Sequence, residues 1–396
     1  MNEVSTWIQA IARTTVRECR EWTFGELFFC AIMPLFWVLV VWALLGDGVM
    51  TKLAVGFVDE DKSHMSREVA RAFEATRTFR LVHISSREEA MRQMRQGTIY
   101  GVIAVPFAYS RDMLNGLGSS VNLYVDENRY AIAGTLQADA ATVLSALSQQ
   151  GIFAQALRTG VGTAGVERIL EVVHSEFYPM GNMQFSFLAF LGGSLIPGVI
   201  MVGAMLGFVI AFVREARLNK ITEWFACANY SASVAITGKL LPHYALYCFF
   251  FLFYIALFCG YGGFLPTGSI FLWCACGACC LAVCAAMAVL IAGISPNWRL
   301  ALVLASGYAA PALPYTGFSI PLDSMSVAAR IFGQCLPLTW LIQGQAQQWT
   351  LGANLSNMGT TFLALGILFI VPASAAYFIF RSKISTATTR DKAART

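Results

Sequence analysis

Five of the chain's eleven cysteines fall within CACGACCLAVC, residues 274–284. Thiols at this density suggest soft-metal or disulfide chemistry. A metal site would also call for His or carboxylate partners and an ordered shell of hydrogen bonds around them. The uncharged sequence on either side supplies neither. Cys276, Cys280 and Cys284 recur every four residues with Gly277 and Ala288 nearby, so the spacing predicts a face of small side chains that lets membrane helices approach closely. A second cluster, VDEDKSH, gathers Asp59, Glu60, Asp61 and His64. Its possible chemistry is cation binding, but acids between an apolar strand and a helix fit a solvated turn with capping side chains better. With four His in the whole chain, no Ser/His/Asp arrangement and no G-x-x-x-x-G-K-[ST] loop, a membrane-embedded enzyme is the poorest functional class.

Both clusters have to be positioned by larger elements. The chain has 396 residues and only 13% charged residues, against about 25% in soluble domains. Mean hydropathy is +0.60. Long uncharged runs alternate with polar sequence, the pattern of an α-helical polytopic membrane protein. Net charge is +4 and no basic stripe with interleaved aromatics occurs, so no nucleic-acid partner is expected.

About six spans are predicted, at 24–46, 184–213, 240–261, 270–294, 298–318 and 357–380. Pro311, Pro314 and Pro321 break the outer end of the fifth. The first run is too long and bulky for a cleaved signal. Arg13, Arg17 and Arg20, then Arg214, Arg217, Lys220 and Lys239, then Arg299, and finally the basic tail 381–396 all flank one side, whereas the short loops of the other carry only Arg330. Both termini are therefore expected in the cytoplasm, with the 47–183 insert outside. That insert alternates strands (52–61, 79–84, 99–105, 120–126) with helices (63–76, 86–97, 130–158), which makes it a small extracytoplasmic α/β domain. It contains no cysteine.

VDEDKSHMSRE at 58–68, with Asp59, Glu60, Asp61, Ser66 and Arg67, opens a series of motifs. EEAMRQMRQGTIYGVIAVP at 88–106 and VDENRY at 125–130 follow in order. Together they resemble the external domain of ABC-2-type permeases, the membrane subunits of ATP-driven exporters. YPMGNMQF at 178–185 with LIPGVI at 195–200, and CLPLTWLIQG at 335–344, are similar to that family's sequence around the second span and after the fifth. The resemblance covers nearly the whole chain. It implies a bacterial inner-membrane permease subunit that binds no cofactor itself. ATP and Mg would sit on separate cytoplasmic ABC ATPase subunits. The partners that the resemblance implies are a second permease, identical or not, the lipid bilayer and a periplasmic adaptor.

The loop 214–239 lies on the expected cytoplasmic side and looks like the family's coupling loop, with Arg214, Glu215, Arg217, Gly238 and Lys239 matching. It departs from the family's Gly-Thr-x-Glu pattern, reading NKITEWFACAN, with Glu223 standing in for the usual Glu. The alternative is a plain amphipathic loop.

Residues 1–23 form an amphipathic interfacial helix. Val4, Ile8, Ile11, Thr15, Cys19 and Trp22 lie on one face beside Trp7, and Arg13 and Arg17 snorkel to the headgroups. It serves either as a membrane anchor or, as the resemblance implies, as part of the ATPase cradle. Residues 319–356 are too broken for a span and read as re-entrant or interfacial helices, with Pro337 and Trp340 at an outer gate. Glu26 and His243 are expected at the interface. With the spans nearly free of charge, a proton-coupled transporter is disfavoured and the cargo is expected to be hydrophobic or amphipathic. The leading function is an ABC exporter permease working by alternating access. The rival is a non-transporting receptor or scaffold whose α/β domain binds an envelope partner.

Overall fold

The first 45 residues hold two helices, α1 (Glu3–Arg20) and α2 (Phe24–Leu45). Between them Thr23 and Glu26 form a capping box, each side chain bonding the other's backbone N–H, which starts α2 sharply. Within α2 a π-turn at Phe28–Ile32 directly precedes Pro34, whose missing N–H a regular helix cannot accommodate. The computed structural model describes residues 3–45, 51–115, 119–125, 130–158, 186, 188–318, 320–349 and 351–395. The chain divides into two units, Gly48–Pro179 and the remainder.

In Gly48–Pro179, short apolar runs form β1 (Leu53–Asp59), β2 (Phe79–His83), β3 (Gly101–Val105) and β4 (Asn122–Val125) in the order β2-β1-β3-β4. β1 pairs in parallel with β2 and β3, and β4 runs antiparallel to β3. Helix α3 (His64–Glu74) connects β1 to β2, and α4 (Arg87–Arg95) connects β2 to β3. Two further helices, α5 (Tyr109–Leu114) and α6 (Tyr130–Arg158), complete the unit. Each face of the sheet has its own core, as a sheet alternating its side chains requires. Val55, Phe57, Ile103 and Val105 pack with Val69, Phe73 and Leu136, while Val58, Val102 and Ala104 pack with Ala90 and Ile99. Residues 126–129 of VDENRY and the 178–185 lead-in lie outside the described residues.

In the other unit, four more helices among the described residues are long and apolar enough to cross a bilayer: α7 (Leu188–Arg217), α9 (Ala232–Tyr261), α10 (Ile270–Ile294) and the Gly359–Thr386 part of α15 (Gly359–Arg395). The short α8 (Ile221–Cys227) joins α7 to α9. α7 is central, packing against α2, α9 and α10, and α10 packs in turn on α15. Cys276, Cys280 and Cys284 are buried on α10 among apolar neighbours, and Gly277 lets the Phe251 ring of α9 lie where a Cβ would come within 2.0 Å of it.

Three expected boundaries change. Residues 298–318 do not form one continuous helix. They make α11 (Trp298–Ala309) and a one-turn α12 (Ala312–Tyr315), interrupted at Pro311. At 1.5 Å per residue α11 is about 18 Å long, short of the roughly 30 Å of hydrocarbon. The third-span helix starts at Ala232, so the expected 214–239 loop shrinks to 218–231, with Gly238 and Lys239 inside the helix. α15 runs through the expected tail to Arg395, and Lys383 Nζ donates to Gly293 O at 2.7 Å near the end of α10. The 319–356 segment folds as a single 3-10 turn (Leu322–Ser324), α13 (Val327–Gln334) and α14 (Pro337–Trp349).

Candidate functional site

α1 crosses α9 at Gly238. A Cβ there would lie 2.6 Å from Thr14 Cβ and 3.1 Å from the Ile11 carbonyl oxygen, so only glycine permits the approach. Thr15 Oγ1 donates to the freed Gly238 carbonyl at 3.0 Å. The face of α1 turned inward is Ala10, Thr14 and Glu18. Of the expected membrane-facing stripe, Trp7, Ile8 and Cys19 are exposed, while Ile11, Thr15 and Trp22 are half-buried. Arg13 is exposed, as a snorkelling side chain would be, but Arg17 is not.

The close approach brings together charges from four elements. Glu18 is 2% exposed and is the hub. Its Oε2 accepts from Lys239 Nζ at 2.6 Å and from Arg214 Nη2 at 2.6 Å, and its Oε1 lies 3.0 Å from His243 Nε2. Lys239 and His243 are one helical turn apart on α9, which lets both reach the same carboxylate. Lys239 Nζ also donates to Glu215 Oε1 at 2.7 Å. Arg214 Nη1 donates to Glu26 Oε2 at 3.0 Å. Arg17 Nε donates to Glu21 at 2.9 Å, and its Nη2 to Glu215 Oε2 at 3.4 Å. Three cations, Arg17, Arg214 and Lys239, thus face four carboxylates, Glu18, Glu21, Glu26 and Glu215.

Burial opposes the charge on Glu18, but His243, Lys239 and Arg214 outweigh it and hold the carboxyl at about 2. Burial likewise opposes the charge on Arg17, and its bond to Glu21 with the nearby Glu215 charge raises its pKa above the usual value nonetheless. The network is closed to solvent by aromatic rings. Trp22 lies 4.8 Å from the His243 ring, and Lys239 Nζ sits 5.2 Å from the centre of Trp224. An ionic cluster this dry locks one arrangement of helices, because separating any pair strands an uncompensated charge.

Of the residues expected in coupling, Arg214, Glu215 and Lys239 belong to this cluster and Gly238 makes room for it. Glu223 stands at its edge, 69% exposed by its side chain and 3.8 Å from Arg17. Arg217 is apart, exposed, with its guanidinium 5.9 Å from the Trp298 ring. Glu26 and His243, expected at the interface, are half-buried and buried members of the cluster. Glu18 escaped the sequence reading altogether. A carboxylate within the predicted membrane-anchoring helix, six residues ahead of the span, was the available signal.

The other expected sites lie elsewhere. Asp59 Oδ1 accepts from the backbone N–H groups of Asp61 and Lys62, and its Oδ2 from Ser66 Oγ at 2.7 Å, so it ties the turn between β1 and α3. Asp61 accepts from the Ser110 N–H at 3.1 Å; slight burial opposes its charge, and the bonds from Ser63 and Ser110 hold its carboxyl below the usual range. Glu60 and Arg67 are exposed beside this turn. Among the described residues no group of three or more His, Cys, Asp or Glu is placed to hold a metal ion. Pro337 is buried at the start of α14, and Trp340 Nε1 donates to Gln334 O at 2.8 Å. Farther along α14, Gln345 Nε2 donates to Gly193 O at 2.7 Å while its Oε1 accepts from Tyr254 at 3.2 Å, pinning the short helix to α7 and α9.

The family described as "ABC-2 family transporter protein" matches residues 25–378. No curated protein matches the chain.

Proposed function

Because the chain belongs to the ABC-2 family of transporter proteins, we propose that it is the permease subunit of an ATP-driven exporter that moves a hydrophobic or amphipathic cargo out of the cytoplasm or inner leaflet. ATP and Mg are bound by separate ABC ATPase subunits, and a second permease subunit completes the pathway. The termini and the α7–α9 connection face the cytoplasm, in line with the bias of Arg and Lys towards them.

The observation that carries this reading is the buried cluster around Glu18. It fastens α1 to α7 and α9 at the end where α8 presents Ile221 and Glu223 to solvent. A push on α8 or α1 is passed to both spans together, because the charges joining them resist separation. That is the mechanical requirement for converting closure of the ATPases into alternating access.

The test is purification of the tagged chain from its native host in mild detergent, with identification of co-purifying subunits and an assay of ATP hydrolysis. An ABC ATPase in stoichiometric amount, with hydrolysis altered by the permease, is expected. A folded chain that never brings down an ATPase would overturn the reading.

A further inference from the structure

A cleft of about 320 Å³ opens beside the ion cluster, between the start of α2, the end of α7 and the start of α11. The volume falls at the lower end of the roughly 300–1,000 Å³ typical of small-molecule sites. Its walls are of two kinds. Phe29, Ile210, Val213 and Leu302 make an apolar trough, and Phe29 is 62% exposed. At the other end stand Arg214, Arg217 and Trp298.

One charge of the basic end, that of Arg217, is not neutralised. Arg217 makes no ion pair among the described residues and lies 5.9 Å from the Trp298 ring, with Arg299 5.3 Å from the same ring. Arg214 is 94% buried by complement of its 6% exposure, and although Glu18 and Glu26 engage its two terminal nitrogens, its Nε is buried with no hydrogen-bond partner. Glu26, the acid in the cleft, is already spent on Arg214 and on the Thr23 N–H. Gly25 at the start of α2 has open space where a Cβ would point, which leaves the positive end of that helix approachable.

An apolar trough ending in the unpaired guanidinium of Arg217 and a tryptophan has the polarity of a lipid seen from the side. Tryptophan and arginine at the end of a membrane span mark headgroup level. We propose that the cleft holds one anionic phospholipid of the surrounding bilayer, with its phosphate on Arg217 over Arg214 and an acyl chain along Phe29, Ile210, Val213 and Leu302. The site lies against the Glu18 cluster through the shared Arg214, so a bound lipid sits where α1, α2 and α7 meet.

The test is native mass spectrometry of the full chain released from nanodiscs of phosphatidylcholine alone or mixed with phosphatidylglycerol. Wild type should retain one phosphatidylglycerol in preference to phosphatidylcholine by about fivefold, the contribution expected of one arginine at a membrane surface. Arg217→Gln should abolish that preference without changing how the chain folds, since Arg217 is exposed. Leu302→Trp, which fills the trough, should lower retention of both lipids. Equal retention of the two lipids by wild type would overturn the proposal, as would an unchanged preference in Arg217→Gln. Full displacement by soluble glycerophosphoglycerol would reduce the site to an anion site, and a change of oligomeric state in Leu302→Trp with lipid retention unaltered would assign the cleft to a second copy of the chain; either result also overturns it.

Discussion

Glu18 has three partners within 3.0 Å, all on α7 and α9, to which α1 is also bonded through Arg17–Glu215 and Thr15–Gly238. Its replacement by Gln keeps the shape and removes the charge, leaving Lys239 and Arg214 buried with one carboxylate fewer. Breaking a buried pair in this way costs about 3–5 kcal/mol. Thermal unfolding of Glu18→Gln in detergent should show a loss of that order, whereas Glu223→Gln, at the exposed edge of the same network, should be close to neutral. Equal effects of the two would mean that the cluster does not hold the helix.

The pH dependence follows from the same carboxylate. Because its folded pKa lies near 2, below the ordinary carboxylate value of 4.5, its stabilisation is fully present above 4.5 and disappears as pH falls towards 2. The groups facing it are Lys239, Arg214, His243, Glu21, Glu26 and Glu215. Amide exchange in α1 should therefore hold steady down to the upper limit and rise within the window. Exchange that rises well above it would assign the contact to another group.

At the scale of elements, the crossing of α1 and α9 depends on Gly238. Replacement by Val places two methyl groups where Thr14 and the Ile11 carbonyl already stand. In a packed contact such crowding costs about 1–3 kcal/mol, and here the cheapest relief is for α1 to lift. Gly238→Val should insert normally yet speed tryptic cleavage at Arg17, which the contact half-buries, while Gly260→Val, a position with nothing within 4 Å, should not. Unchanged cleavage would show that α1 is held elsewhere.

The sequence patterns that found these helices explain what they missed. Hydropathy located the spans because apolar length is a local property, and α/β alternation located the insert for the same reason. The ion cluster is not local. Glu18 is 196 residues from Arg214 and 221 from Lys239. On a helical wheel Glu18 is one polar residue among several, and the resemblance that marks Gly238 and Lys239 does not say what Gly238 makes room for. The apolar stripe of α1 suggested burial in lipid; the small residues Ala10 and Thr14, two turns and one turn before Glu18, form a further face that fits against a helix. Pro311 was legible as a break; that it divides the fifth expected span into α11 and α12 depended on how its neighbours pack.

For the whole molecule, the question is where force from an ATPase enters. Glu215 at the end of α7 and Glu223 on α8 are both acids of the expected coupling segment, and their surroundings separate them. Glu215 is 1% exposed and bonded to Lys239 and Arg17, so reversing its charge would place a cation against two others and disrupt the helices themselves. That variant cannot distinguish loss of coupling from loss of fold. Glu223 lies on α8 with most of its side chain in solvent and a single distant cation, Arg17, at 3.8 Å. Glu223→Lys therefore leaves the cluster intact while inverting the charge offered to a docking subunit. The expected outcome is normal insertion and an unchanged melting temperature, with the permease's effect on the partner's ATP hydrolysis lost and transport reduced at least about tenfold, the consequence of removing roughly 1.4 kcal/mol of docking energy. Full transport in Glu223→Lys would exclude α8 as the entry point and leave the exposed outer face of α1, with Trp7, Arg13 and Arg20, to receive the ATPase.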